Sequence, residues 1–389
     1  MLVDGEHHPA AVRDALDRIA SARGLAGVVF CGGEEKLGPG SLEEHYGRPV
    51  DADPEGGLRR LAPAAGAVVD LADEPVVPPS RKLALAALAL HLGLAYELPG
   101  ARLDPPVYAK VDTAAARLAV IGTSKRAGKT AVAAHWAGLL RDRGTDPVIV
   151  CMGRGGPPDP RAAPAGIGVE ELLEIADRGE HAASDYLEDA ALAGVRTVGC
   201  RRVGGGFAGQ PAESNVPAGG ALAASLNPGA ILFEGSGSCI PPVEVDRTVC
   251  VVGRGAPEPF AEYRLMRADL VLAMEGAEAP PGAVPFDLRP EPAEPLDEDA
   301  RVALFTTGAE RCDGVEPVVA SANLARRGAL ADDLDRAAAE RCDVYLTELK
   351  AAAVDTVARR ARDEGARVVL VRNRPVGADD ALLGVWFGA

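Results

Sequence analysis

The sequence predicts an α/β fold: a mostly parallel, doubly wound sheet, plus a smaller N-terminal α/β domain. Three observations carry this. Short runs rich in Val, Ile and Leu alternate with longer stretches of helical periodicity, the signature of strand–helix–strand units. The strand-like runs, such as 118–121 and 230–233, are continuously apolar, as strands covered on both faces are. One of them passes through a glycine-rich turn directly into a helix.

In chain order, a short strand at 2–3 is followed by the loop Asp4-Gly5-Glu6-His7-His8-Pro9 and a helix over 11–23 with Val12, Leu16, Ile19 and Ala20 on one face. A strand at 27–31 ends in Gly32-Gly33-Glu34-Glu35-Lys36; a further strand covers 67–70, residues 81–92 are helical, and the apolar stretch 83–98 reads as one buried helix. These form an N-terminal α/β domain over 1–112. The core, 113–274, has strands at 118–121, 148–151, 196–199, 230–233, 248–252 and 270–273, with helices at 131–140 and 169–178. A C-terminal part, 275–389, completes the sheet with strands at 302–305, 344–346 and 368–371 and a helix at 351–364. Pro and acidic residues crowd 275–299, which reads as a surface excursion from the pattern or as a boundary between the core and the C-terminal part.

With 389 residues the chain is long enough for two or three domains. Its 41 Lys+Arg against 57 Asp+Glu leave a formal charge of −16. That balance argues against nucleic acid or an anionic membrane as partner, since a polyanion gains nothing at such a surface. Any anionic ligand must be held by a local exception. Only six basic residues are lysine, and two of these, Lys125 and Lys129, lie within one short loop. Seven Cys without a CxxC pair, behind an N-terminus that lacks a basic start and apolar run, predict reduced thiols in a cytoplasmic protein. The most apolar stretch is broken by His91 and is shorter than the roughly 18 residues of a membrane span.

The sharpest motif is Gly122-Thr-Ser-Lys-Arg-Ala-Gly-Lys-Thr130, between a strand and a helix. A P-loop needs inward backbone N–H groups, a helix N-terminus, a Lys for the β/γ-phosphates and a hydroxyl for Mg²⁺. Gly128, Lys129 and Thr130 supply the last three. The motif departs from the usual spacing, because Thr123 holds its first position and Gly122 comes one residue earlier. Lys125 and Arg126 add positive charge inside the loop, suited to the spread charge of a phosphoryl-transfer transition state. Glu234 ends an apolar strand before Gly-Ser-Gly-Ser, where a carboxylate beside a P-loop can join a metal shell. Three further loops pair glycine with cations or polar groups: one carries Arg154, one Arg201 and Arg202, and one His181 among Glu180, Ser184 and Asp185. Arginines there suit bidentate phosphate or carboxylate recognition. Zinc-ligand spacing and a GxSxG elbow are absent from the sequence.

The ordered set DGEHHP (4–9), GGEEKL (32–37), GTSKRAGKT (122–130), MGRGGPPDP (152–160), GEHAASDYLEDA (179–190), CRRVGGG (200–206), EGSGSCIPP (234–242) and TELKAAAVD (347–355) resembles the cyclic 2,3-diphosphoglycerate synthetase family over nearly the whole chain. The P-loop alone is similar to that of dethiobiotin synthetase, within the P-loop NTPases related to ATP-dependent ligases and partition ATPases. The resemblance implies an ATP-dependent ligase that converts 2,3-diphosphoglycerate to its cyclic form, releasing ADP and phosphate. It implies ATP and Mg²⁺ as cofactors, with Thr123, Ser124, Arg126, Ala127, Gly128, Lys129, Thr130 and Ala131 around the nucleotide phosphates. Asn373, expected just after the last strand, would read the purine edge. Thr130 and Glu234 would hold the metal, and Lys125, Lys129, Arg154 and His181 would act on the transferring group. Arg154, His181, Arg201 and Arg202 would face the bisphosphate, with Asp4, Glu6, His7 and Lys36 as further substrate or lid contacts. Two alternatives stand beside this: a kinase acting on 2-phosphoglycerate, and a nucleotide-driven switch or metallochaperone. The latter calls for metal-binding Cys/His pairs or a docking helix, and neither is found in the sequence. A homodimer is left open.

Overall fold

The structure, a computed structural model, describes residues 1–388. The chain forms two compact units, one of Met1–Val107 with Glu258–Arg267, the other of Tyr108–Pro257 with the chain from Ala268 onward.

In the N-terminal unit, β1 (Leu2–Val3), β2 (Val28–Phe30) and β3 (Val50–Asp51) are parallel neighbours in that order. A second sheet joins β4 (Ala67–Val69) in parallel to β5 (Ala95–Leu98), which turns back into β6 (Ala101–Leu103). A parallel bridge between Leu2 and Asp70 sets β1 beside the end of β4. The helices start where the sequence offers caps. His8 and Pro9 open α1 (Pro9–Arg23), Ser41 and Glu44 form a capping box on α2 (Leu42–Tyr46), and Asp53 caps α3 (Pro54–Leu61). The stretch 83–98, read as one helix, is instead the end of α4 (Pro79–His91), a turn and β5. Gly93, at φ 79°, supplies the left-handed residue that stops the helix there.

The larger unit is built on one sheet. In chain order its elements are β7 (Ala116–Gly122), α5 (Lys129–Asp142), β8 (Pro147–Gly153), β9 (Arg161–Ala163), α6 (Val169–Asp177), α7 (Asp185–Leu192), β10 (Arg196–Val203), β11 (Glu213–Ser214), α8 (Val216–Ser225), β12 (Ala230–Glu234) and β13 (Arg247–Val252). After α9 (Ala261–Met266), which belongs to the N-terminal unit and packs on α4, come β14 (Leu270–Met274), β15 (Val284–Pro292), β16 (Val302–Phe305), β17 (Val319–Ser321), α10 (Arg327–Ala339), β18 (Val344–Glu348), α11 (Arg359–Glu364), β19 (Arg367–Val376) and α12 (Asp379–Phe387). The strand order is β11-β10-β8-β12-β7-β13-β14-β15-β19-β18-β16-β17, with β9 also paired to β10. From β10 to β15 the strands are parallel, and so are β19, β18, β16 and β17 among themselves. The two blocks meet in the antiparallel pair β15/β19. The expected mostly parallel sheet covered on both faces is therefore present.

Helix α5 supplies Val132, Trp136, Ala137 and Leu140, all fully buried, to a core on one face that also holds Leu172, Leu187, Leu330, Val357 and Leu382. On the other face α8 covers Val148, Val150, Val198, Cys200 and Phe233. It approaches closely because Gly219 has no side chain, since a Cβ there would lie 2.1 Å from Cys200 Sγ. Residues 275–299 do not make an excursion. They contain β15, an interior strand of the sheet, whose Pro285, Pro290 and Pro292 obscured its apolar pattern. Among the described residues no helix is long and apolar enough to cross a membrane.

Candidate functional site

β7 lies between β12 and β13, and the chain leaves it at Gly122 into the turn 123–128. Gly122 accounts for the shifted motif: a Cβ there would press to 3.1 Å on the Lys129 side-chain stem and on the Val251 carbonyl. The turn closes through Arg126 and Gly128, both left-handed at φ 63° and 94°. At Gly128 a Cβ would also meet Leu288 and Met274 at 3.1 Å. Lys129 is buried and its Nζ donates to the Ser124 carbonyl at 2.9 Å, so the ammonium lies over the loop backbone. Thr130 Oγ1 donates to Glu234 Oε1 at the end of β12.

Beside this turn lies a cavity of about 790 Å³. Its wall includes Lys125, Arg126, Ala127, Gly128, Lys129, Thr130 and Ala131, together with Arg154, His181, Glu234 and Asn373. Eleven expected site residues from five separate segments thus meet in one place. Thr123 and Ser124 are buried beneath the loop and hold it, with Thr123 N–H donating to Val251 O at 3.1 Å. Asn373 is not in a turn after the last strand but within β19, paired with Pro290 across the antiparallel seam.

Arg201 and Arg202 depart from expectation. β10 continues through both, so they sit on a strand with alternating faces rather than in a loop, and neither is in the cavity wall. Arg202 is buried and donates to Ser236 O at 2.9 Å and Gly204 O at 2.7 Å, tying down the loop after Glu234. Arg201 is exposed, and its backbone N–H donates to Asn215 Oδ1 at 2.7 Å while Asn215 Nδ2 donates to Pro158 O at 3.0 Å. That bridge fixes the loop carrying Arg154.

Asp4, Glu6, His7 and Lys36 cluster within the N-terminal unit. The buried Asp4 carboxylate accepts from Glu6 N–H at 3.1 Å, from His7 Nδ1 at 2.9 Å and from Asp73 N–H, so it is occupied in shaping its own loop. Lys36 donates to Glu6.

An acidic group on the cavity wall adds to Asp185 two residues, Glu188 and Asp189, that the sequence motifs do not single out. Asp185, Glu188 and Asp189 share one face of α7, at the i, i+3, i+4 spacing that could have announced it. Asp189 and Glu234 oxygens and Cys151 Sγ lie within 4.8 Å of one another. Glu234 Oε2 and Asp189 Oδ1 are buried without a hydrogen-bond partner. Burial, reinforced by Asp185, pushes the Glu234 carboxyl above its ordinary range; burial and Glu234 do the same to Asp189, and burial takes Glu188 up to about 7. Burial also raises Cys151 well above an ordinary thiol, so it stays protonated and donates to Asp189 Oδ2 at 3.0 Å. The donor set is thus two carboxylates and a hydroxyl, a set for a hard cation rather than for zinc. Two buried carboxylate oxygens without partners are what such an ion would satisfy.

Residues 117–280 match the P-loop domain of cyclic 2,3-diphosphoglycerate synthetase, residues 1–103 its N-terminal domain and residues 298–374 its C-terminal domain. The chain belongs to the cyclic 2,3-diphosphoglycerate synthetase family. Relatives named cyclic 2,3-diphosphoglycerate synthetase are 44% identical in Rubrobacter xylanophilus, over 98% of this chain and 95% of that one, and 35% identical in Methanothermobacter thermautotrophicus, over 98% and 92%. A third, in Thermococcus gammatolerans, is 38% identical over 97% and 93%. Likeness to a solved structure, LpxK from Aquifex aeolicus in complex with ATP, is remote: a TM-score of 0.42 at 15% identity, over 72% of this chain and 90% of that one. Membership of the synthetase family favours an ATP-dependent ligase over the kinase and switch alternatives, and its P-loop domain is a nucleotide-binding fold.

Proposed function

We propose that this protein closes 2,3-diphosphoglycerate into its cyclic phosphoanhydride at the expense of ATP, releasing ADP and phosphate. The observation that carries this reading is a single cavity wall that joins the P-loop Lys129 and Thr130, two carboxylates with orphaned oxygens, and the further cations Lys125, Arg126 and Arg154. The substrate brings about four to five negative charges, so its two phosphates repel one another until cations neutralise them. A substrate phosphate oxygen attacks the γ-phosphorus of ATP, and the bond to the β–γ bridging oxygen breaks, giving ADP and a mixed anhydride on the substrate. An oxygen of the second phosphate then attacks the substrate-linked phosphorus of that anhydride, and inorganic phosphate leaves. Holding both phosphates in one pocket makes the second step intramolecular.

Lys129 exchanges the Ser124 carbonyl for the β/γ-phosphates, and Lys125 and Arg126 neutralise charge on the transferring group. Arg154 and His181 hold the bisphosphate, and Asn373 faces the nucleotide base. Thr130, Glu234 and Asp189 are the residues that would hold Mg²⁺, which when bound neutralises phosphate charge. Arg202 contributes indirectly, by holding the loop at Ser236.

The test is ADP release from Mg·ATP with and without 2,3-diphosphoglycerate. Strong stimulation by the bisphosphate, abolished in Lys129→Ala, is expected. ADP release that ignores the bisphosphate would overturn the assignment.

A further inference from the structure

The C-terminal part of the chain contributes its own basic side chains to the cavity wall: Arg372, Arg374 and Lys350. Two of them are held. Arg372 and Arg374 donate to the two oxygens of Glu291 at 2.7 and 2.9 Å. Lys350 is held loosely: its Nζ lies 3.5 Å from Glu188 Oε1, longer than a good hydrogen bond, and 41% of the side chain is exposed. An ammonium carries three donors, so a second acceptor can be taken at little cost.

The backbone beneath Lys350 is fixed with care. It follows β18, whose last residue, Glu348, accepts from Thr307 N–H at 2.8 Å and Thr307 Oγ1 at 2.7 Å. Lys350 N–H donates to Glu348 O at 2.9 Å. Ala351, next in line, is left-handed at φ 49°, a conformation costly for a residue with a Cβ and retained only where the surroundings impose it. Thr307 itself lines the cavity. A rigid stalk thus ends in a loosely held cation, facing α7 where Asp185, Glu188 and Asp189 would otherwise repel a polyanion.

We propose that Lys350 is a substrate-binding residue, whose ammonium moves from Glu188 to a phosphate of 2,3-diphosphoglycerate. This rests on the synthetase reading above. Glu188 then holds the ammonium in the empty site and competes with substrate for it. A merely structural ion pair makes a different prediction, because losing either partner would then disturb α7 in the same way.

Steady-state kinetics of the full-length protein, with the cyclic product followed by phosphorus NMR, separate the two. Lys350→Gln is expected to raise KM for the bisphosphate about tenfold or more and to leave KM for Mg·ATP within about twofold. Lys350→Arg, which keeps the charge should the first variant fold poorly, is expected to give an intermediate bisphosphate KM. Glu188→Gln is expected to lower the bisphosphate KM, the opposite direction. An unchanged bisphosphate KM in Lys350→Gln, equal rises for both substrates, or a parallel rise in Glu188→Gln would overturn the role of Lys350. Wild-type protein that forms no cyclic product would instead remove the synthetase reading itself.

Discussion

Thr130 and Glu234, 104 residues apart in sequence, meet through a hydroxyl–carboxylate hydrogen bond, and that contact sets the chemistry of the site. Glu234 accepts with one oxygen and leaves the other buried and unsatisfied, which costs stability unless a cation arrives. Because burial raises its pKa, the folded state disfavours the charged form above the ordinary carboxylate range and is indifferent to it below. Glu234→Gln keeps an acceptor for Thr130 without the charge. It is expected to raise the melting temperature near pH 8, to leave it close to wild type near pH 5, and to lower Mg·ATP-dependent turnover about a hundredfold or more. Thermal melts at the two pH values check this, and a lower melting temperature at the higher pH would refute it. The P-loop was legible residue by residue because strand, turn and helix are contiguous. Asp189, Glu188 and Lys350 were not, because their meaning arises only when α7 and the end of β18 reach the same cavity.

Helix α8 shows what an element needs from its sequence. Its alanines and the proline in its first turn favour a helix while its paired glycines weaken it, and Gly219 and Gly220 let it lie flush on β10 and β12. Gly219→Ala is expected to cost about 1–3 kcal/mol, and Cys200→Ala in the same chain to recover part of it, because the clash is with that sulfur. Denaturant melts of the two single variants and the double variant measure the coupling. On the opposite face, Trp136→Ala empties the centre of α5's buried side and is expected to cost about 3–5 kcal/mol by the same measurement. Strand periodicity gave β7, β12 and β13 close to their observed bounds. It stopped short on β10 and β19 and missed β15, where arginines and prolines lie in strands that pairing, not apolarity, sustains. That shortfall moved Arg201, Arg202 and Asn373 from loops onto strands and thereby changed which of them face the cavity.

At the scale of the whole molecule, charge decides the pH profile of stability. Against the upward push of burial, hydrogen bonds from Ser321 and Asn323 and the Arg336 guanidinium hold Asp333 below the ordinary range, and Arg117 does so for Asp246. Their contribution is complete above the ordinary carboxylate range and is lost as pH falls through the depressed values. Glu188, raised to about 7, acts oppositely: its advantage is complete below the ordinary carboxylate range and is lost as pH rises from there to about 7. A formal charge of −16 adds self-repulsion toward neutral pH. Stability is therefore expected to peak near the ordinary carboxylate range, at about pH 4–5, and to decline on both sides, measured as melting temperature against pH without nucleotide or metal; a monotonic rise to pH 8 would contradict this. The overall α/β architecture was legible because alternating apolar strands and amphipathic helices extend over most of the chain. The antiparallel seam β15/β19 was not, since direction is set by how the C-terminal strands return to the sheet. The central claim is that this cavity makes a ring, and phosphorus NMR of the protein with Mg·ATP and 2,3-diphosphoglycerate tests it most directly. The account predicts new upfield resonances of a cyclic phosphoanhydride, appearing together with ADP and inorganic phosphate and absent in Lys129→Ala. ADP and phosphate accumulating while 2,3-diphosphoglycerate stays open would contradict it.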